Sequence, residues 1–166
     1  MSTHGRYCFI SYDLRDALAH RWAFRIAEYL GEAGTPLRVV VPQWSWTLGH
    51  WTQYLEDAVA GAERSIVVLS PGFVTTPSFV TPADTFVQLQ RRLLLQEPVR
   101  SEQGDAPRPR LLVVLVADCQ SLLSRTEIRE EVPLLYTDRV RWVDLGSAGS
   151  AEETCRQSLI EGFAAA

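Results

Sequence analysis

The sequence predicts an α/β fold: a five-stranded parallel sheet of order 2-1-3-4-5, the flavodoxin-like arrangement, with helices on both faces. Three observations predict it. Five short runs rich in β-branched and aromatic residues punctuate the chain of 166 residues, and most are separated by stretches with helical spacing. The runs are apolar at successive rather than alternate positions, as strands buried on both faces are. Parallel neighbours, in turn, need long right-handed crossovers of the kind those intervening stretches supply.

Residues 7–12 (YCFISY) form the first strand, an aromatic and β-branched run. Asp13 follows as a candidate helix cap. Leu18, Trp22, Ile26 and Tyr29/Leu30 then recur at three- and four-residue intervals, with Arg15, Arg21, Arg25 and Glu28 mostly between them, which predicts an amphipathic helix with the apolar set inward. Gly31 and Gly34 end it, and Pro36 confirms the break. Residues 37–41 (LRVVV) are the second strand, 42–49 a loop with Trp44 and Trp46, and 50–61 a second helix with Trp51, Tyr54, Leu55 and Val59 inward. Residues 65–69 (SIVVL) are the third strand, which Ser70-Pro71-Gly72 breaks.

An irregular segment is expected at 73–82 and a helix at 84–95, spaced by Phe86, Leu89, Leu93 and Leu94. Residues 97–109 hold Pro, Gly and charge without periodicity and read as a surface loop. Residues 110–116 (RLLVVLV) are the most apolar strand; 121–135 read as an irregular or short-helical crossover, 140–145 as the fifth strand and 151–163 as a closing helix. We find neither an internal repeat nor a domain boundary, so residues 1–166 read as one domain.

Ligands of such sheets sit beyond the carboxyl ends of the strands, at the switch in strand order. That edge is assembled from residues 11–13, 44–49 and 70–83. The net charge of -4 argues against a nucleic-acid partner. All 16 basic residues are Arg and none is Lys, which removes Schiff-base chemistry and a P-loop lysine together. The three cysteines, Cys8, Cys119 and Cys155, are widely spaced and read as reduced thiols, with Cys8 a small core residue. His4, His20 and His50 do not form a metal set, and no metal site is expected. The Arg91-Arg92 and Glu130-Glu131 pairs read as solvated faces. No signal peptide and no apolar stretch near the ~20 residues of a membrane span is found, so a cytoplasmic protein without membrane contact is expected.

Three motifs resemble those of TIR domains of the bacterial type. FISYD looks like the first box, VVPQWSWTLGHWTQYLEDAV echoes the second, and SIVVLSPGFV resembles the third strand with its Ser-Pro exit. Together they cover residues 7–74, and the last two strands extend the match by topology alone. The resemblance implies NAD+ as substrate, no further cofactor, and cleavage of the bond between nicotinamide and ribose. That reaction passes through an oxocarbenium-like state, which a carboxylate beside the ribose stabilises. The family places this Glu one helical turn after a Trp; here Phe79 stands at the Trp position and Ala83 at the Glu position.

Three readings of Ala83 are open: a domain inactive by nature, an acid replaced to trap substrate, or service by Asp84 after a one-residue shift. The shift turns a helical side chain by ~100°, and Asp84 also suits a helix cap. Beside Ala83 and Asp84, the resemblance assigns substrate contacts to Tyr12, Asp13, Trp44, Trp46, Gly49, Trp51 and Phe79. Two functions follow from it: an NAD+ hydrolase or cyclase effector of antiviral defence, activated by self-assembly and coupled to a sensor or oligomerising partner, or a non-catalytic scaffold acting through homotypic contacts. A phosphoacceptor receiver domain is excluded because Ser70 replaces its Asp and no Lys exists, and a dinucleotide-binding Rossmann domain because no GxGxxG follows the first strand.

Overall fold

The computed structural model describes residues 7–32, 38–40, 51–75, 82–92, 94, 111–115, 123–132, 140–144, 153, 156, 157 and 161. Five parallel strands, β1 (Tyr7–Ser11), β2 (Arg38–Val40), β3 (Arg64–Leu69), β4 (Leu111–Leu115) and β5 (Val140–Asp144), pair in the order β2-β1-β3-β4-β5. Five helices accompany them among the described residues: α1 (Ala17–Glu32), α2 (Trp51–Gly61), α3 (Pro71–Thr75), α4 (Pro82–Arg91) and α5 (Thr126–Glu131). Glu153, Arg156, Gln157 and Glu161, from the expected closing helix, are helical. The sheet has the α/β layering that the sequence predicts. Among the described residues no helix is long and apolar enough to cross a membrane.

Because successive strand residues face opposite sides, the two runs in the middle of the sheet feed two cores. Phe9, Val67 and Leu69 join Leu55 of α2, Phe73 of α3, Val87 of α4 and Ile128 of α5. Cys8, Ile10, Ile66 and Val68 join Ala19, Ala23, Ile26 and Leu30 of α1. Register follows from the pairing: Cys8 lies opposite Arg64, and Ser11, the last residue of β1, opposite Val67. Every residue of β1 is buried, the consequence of strands on both sides and helices on both faces.

Several local expectations are corrected. The cap of α1 is Asp16, whose Oδ1 accepts the Leu18 and Ala19 amides, each at 2.9 Å. Asp13 instead closes the preceding turn, its carbonyl accepting the Asp16 amide at 3.0 Å. The inward stripe of α1 is Ala19, Ala23, Ile26 and Leu30, while Leu18 is exposed and Trp22 only half-buried. Positions 19, 23, 26 and 30 continue one helical face without a break, and the alanines let the helix lie close on the sheet. Tyr54 of α2 is likewise exposed beside a buried Leu55. The segment after β3, expected to be irregular, begins with α3, for which Pro71 supplies a pre-set first residue. Helix α4 begins at Pro82, so Asp84 is its third residue rather than its cap.

Candidate functional site

β1 and β3 are neighbours at the switch in strand order, and residues just beyond their carboxyl ends meet. Asp13 follows β1 and is 3% exposed. A charge buried so deeply must be compensated. Arg15 compensates it: its amide and Nε each donate to Asp13 Oδ1 at 3.0 Å, and its Nη2 donates to Oδ2 at 3.1 Å. The opposite wall is the turn after β3. A Cβ on Gly72 would stand 2.6 Å from Asp13 Oδ2, so this close approach requires glycine. Ser70 starts that turn, its carbonyl accepting the Phe73 amide at 3.0 Å. Its hydroxyl is buried and has no hydrogen-bond partner among the described residues.

Helix α4 is fastened to both walls by its last turn. Ser11 Oγ donates to Gln90 Oε1 at 2.5 Å, and Gln90 Nε2 donates to the Tyr12 carbonyl at 3.4 Å. Arg91 Nη1 donates to the Phe73 and Val74 carbonyls at 3.2 and 2.9 Å. One helix end thus holds the tip of β1 through Gln90 and the close of α3 through Arg91. Both side chains are buried, which corrects the solvated reading of Arg91; Arg92 is exposed as expected. The helical period contained the signal. Val87, Arg91 and Leu94 fall at four- and three-residue spacing on one buried face.

Of the residues singled out from sequence, Tyr12 and Asp13 lie at this edge. The Tyr12 ring is buried in the α1-side core, and its hydroxyl lies 3.0 Å from His20 Nδ1. Burial pushes that phenol's pKa upward. His20 is exposed and tilts against Phe24 with ring centroids 4.7 Å apart. Ala83 and Asp84 are the second and third residues of α4, in the opening turn of the helix that Gln90 and Arg91 fasten. Trp51 is the first residue of α2, its side chain outside the described residues. Trp44, Trp46, Gly49 and Phe79 lie outside them altogether.

The sequence reading passed over Gln90, the buried Arg91, and the service of Arg15 to Asp13. It also missed the contact of Gly72 with that carboxylate. Cys8 is buried as expected, and desolvation pushes its thiol up to about 12, with Arg64 opposing the shift. Among the described residues no group of side chains is able to hold a metal ion. Chemically, the edge offers a half-exposed guanidinium, the buried carboxylate that it compensates and, in the turn that carries Gly72, a buried hydroxyl.

A family profile described as TIR domain matches residues 8–160, nearly the whole chain. Neither the curated proteins nor the solved structures compared with the chain give a match.

Proposed function

The chain belongs to the TIR domain family, and from that premise we propose that it is an NAD+ hydrolase or cyclase-type effector of antiviral defence whose acid position is vacant. The observation that carries this reading is the fastening of α4. Gln90 and Arg91 tie its closing turn to the tip of β1 and to the close of α3, so that turn stands beside the switch point where such sheets take ligands, and positions 83 and 84 belong to the opening turn of the same helix. In a sheet of order 2-1-3-4-5 that switch falls between β1 and β3, which supports this reading.

In the reaction proposed, the bond from the ribose C1′ to the nicotinamide nitrogen breaks. Nicotinamide leaves with the electron pair, and the ribosyl cation is captured by water, which releases a proton, or by an internal nucleophile of the substrate. A carboxylate at position 83 would hold a ribose hydroxyl and balance the developing charge. Ala83 has no oxygen with which to do so. Asp84 is the next residue of a regular helix, ~100° around its axis. The chain as it stands therefore binds NAD+ and turns it over poorly, and assembly of several copies completes the pocket. We place its work in the cytoplasm, in partnership with a sensor or oligomerising domain and without nucleic acid or membrane.

A scaffold role through homotypic contacts is the second reading. It is favoured by Ala83 itself and by the exposed Leu18 and Phe24 of α1 and Tyr54 of α2. The deciding experiment measures NAD+ binding and nicotinamide release for the chain and its Ala83→Glu variant, as dilute monomer and after assembly. Restoration of one stabilising group at the transition state is worth roughly 100- to 1,000-fold in turnover. An Ala83→Glu protein as inert as the parent when assembled, with no NAD+ bound by either, would leave the scaffold reading in possession.

A further inference from the structure

The hydrogen bonds at the tip of β1 run on to the protein surface. His20 Nδ1 lies 3.0 Å from the Tyr12 hydroxyl. The carbonyl of the same tyrosine accepts Gln90 Nε2 at 3.4 Å, and Gln90 Oε1 accepts Ser11 Oγ at 2.5 Å. Tyr12 packs its ring into the core beneath α1, whereas Val87 carries α4 into the core on the opposite face of the sheet. One residue therefore joins helices of different faces. Ser11, Tyr12 and Gln90 are buried, and His20 is exposed.

Burial sets the direction of the first bond. Tyr12 is 1% exposed, so its phenol hydrogen has no water to turn to, and desolvation pushes the phenol's pKa upward, which keeps that hydrogen in place. Were His20 to donate from Nδ1, the Tyr12 hydrogen would be a buried donor without an acceptor. A hydroxyl that donates to a bare Nδ1 leaves nothing unmet, and the neutral ring is then the Nε2–H tautomer. The imidazole also stands edge-on to Tyr12, with centroids 5.5 Å apart, and tilts against Phe24. Among the described residues, the charged groups beside it on α1 are Arg21 and, one turn earlier, Asp16, which caps the helix and whose carbonyl accepts the His20 amide. Asp13 and Arg15, in the turn before the helix, are paired with each other. From the tip of β1 it is the Tyr12 phenol that meets the ring.

We propose that His20 is a pH-sensitive latch: the neutral ring accepts the Tyr12 hydroxyl and holds the tip of β1 to α1, and the protonated ring releases it. A proton on Nδ1 sets two donors face to face, so the phenol must turn and strand its hydrogen. The stability that this bond contributes is therefore present at the alkaline end of the ordinary histidine range and is lost as pH falls through that range. Because the Tyr12 carbonyl is an acceptor for Gln90, the release reaches α4. The latch is independent of the NAD+ reading, since no substrate takes part in it.

The test is nitrogen NMR of the intact chain between about pH 8 and about pH 5, with the His20 signals assigned by His20→Gln, alongside thermal unfolding at both limits. At the alkaline limit His20 should be the Nε2–H tautomer. On acidification the Gln90 side-chain amide should shift with the same midpoint as His20 in the parent and should not in Tyr12→Phe. The parent should lose roughly 2–4 °C more in Tm than Tyr12→Phe does, the worth of one buried hydrogen bond in a chain of this size. Arg25→Gln, which removes an exposed arginine of the same helix paired with Glu28, should behave as the parent.

An Nδ1–H tautomer at the alkaline limit would overturn the proposal, as would equal acid losses in the parent and Tyr12→Phe. A Gln90 amide indifferent to His20 would refute the link to α4.

Discussion

Replacing Gln90 by leucine removes the tie between the last turn of α4 and the tip of β1. The side chain is fully buried and bonds Ser11 Oγ and the Tyr12 carbonyl across the chain. A buried hydrogen bond contributes about 1 kcal/mol net, and a buried group left without its partner costs about 1–3 kcal/mol. Gln90→Leu strands one hydroxyl and one carbonyl, so we expect a loss of about 2–4 kcal/mol, a large share of the ~5–15 kcal/mol that holds a domain folded. For a chain of this size that is a fall in Tm of roughly 6–12 °C.

The decisive version is a double-mutant cycle with Ser11→Ala. Once the hydroxyl is gone, Gln90→Leu strands only the carbonyl, so the double variant should be more stable than the sum of the singles by about 1 kcal/mol. Urea titration followed by far-UV circular dichroism gives each value, provided the slope of stability against urea stays constant across the four proteins. Additivity within about 0.4 kcal/mol would refute the claim that Gln90 and Ser11 form a buried pair, and with it the argument that α4 is fastened to β1.

Two further predictions follow from packing and burial. Gly31 and Gly61 both lie in helices, yet a Cβ at Gly31 meets nothing within 4 Å, whereas at Gly61 it would stand 2.7 Å from the Tyr7 hydroxyl. That hydroxyl is pinned by the Ala58 carbonyl. Gly31→Ala should therefore stabilise by about 0.5–1 kcal/mol. Gly61→Ala should destabilise despite the same gain in propensity, because overpacking costs about 1–3 kcal/mol; opposite shifts in the urea midpoint are the readout.

The Cys8 thiol, pushed up from 9.0 to about 12 by burial, binds its proton more tightly folded than unfolded. Its contribution to stability is complete below pH 9 and declines by up to about 1.4 kcal/mol per pH unit as pH rises from 9 toward 12. A Cys8→Ala variant should show a flatter alkaline limb. With Cys119 and Cys155 replaced by serine, a thiol reagent at pH 8 should label Cys8 only after denaturant is added.

The strands were legible because the physics that buries them is written locally. Runs such as YCFISY and RLLVVLV have no polar alternation, and only strands sandwiched on both faces need none. The interior of α1 was legible only in part. Leu18 and Trp22 are larger and more apolar than Ala19 and Ala23, and hydrophobicity alone ranks them as core. Close approach of the helix to the sheet selects the small residues instead. Capping was ambiguous for a related reason: Asp13 and Asp16 are the same residue type one turn apart, and only the helix start at Ala17 chooses between them.

At the candidate site, Tyr12, Asp13 and the Ser70-Pro71-Gly72 turn could be placed at one edge from the strand pattern. The partners that fasten that edge came from α4, some eighty residues along the chain from the tip of β1. An arginine next to another arginine reads as surface until helical phase is weighed against charge. Arg91 is buried because two carbonyls at the close of α3 need a donor that α3, five residues long, does not supply itself.

The division of labour along α4 bears on how such a domain changes over time. Among the described residues its hydrogen bonds to the tip of β1 and the close of α3 come from its closing turn, at Gln90 and Arg91, while Ala83 stands in its opening turn. Substitutions at the finish carry the folding cost of the bonds they break. Under the function proposed above, an acid lost or regained at position 83 is a single codon that breaks neither of those ties, so the chemistry and the fastening of the helix are open to separate change.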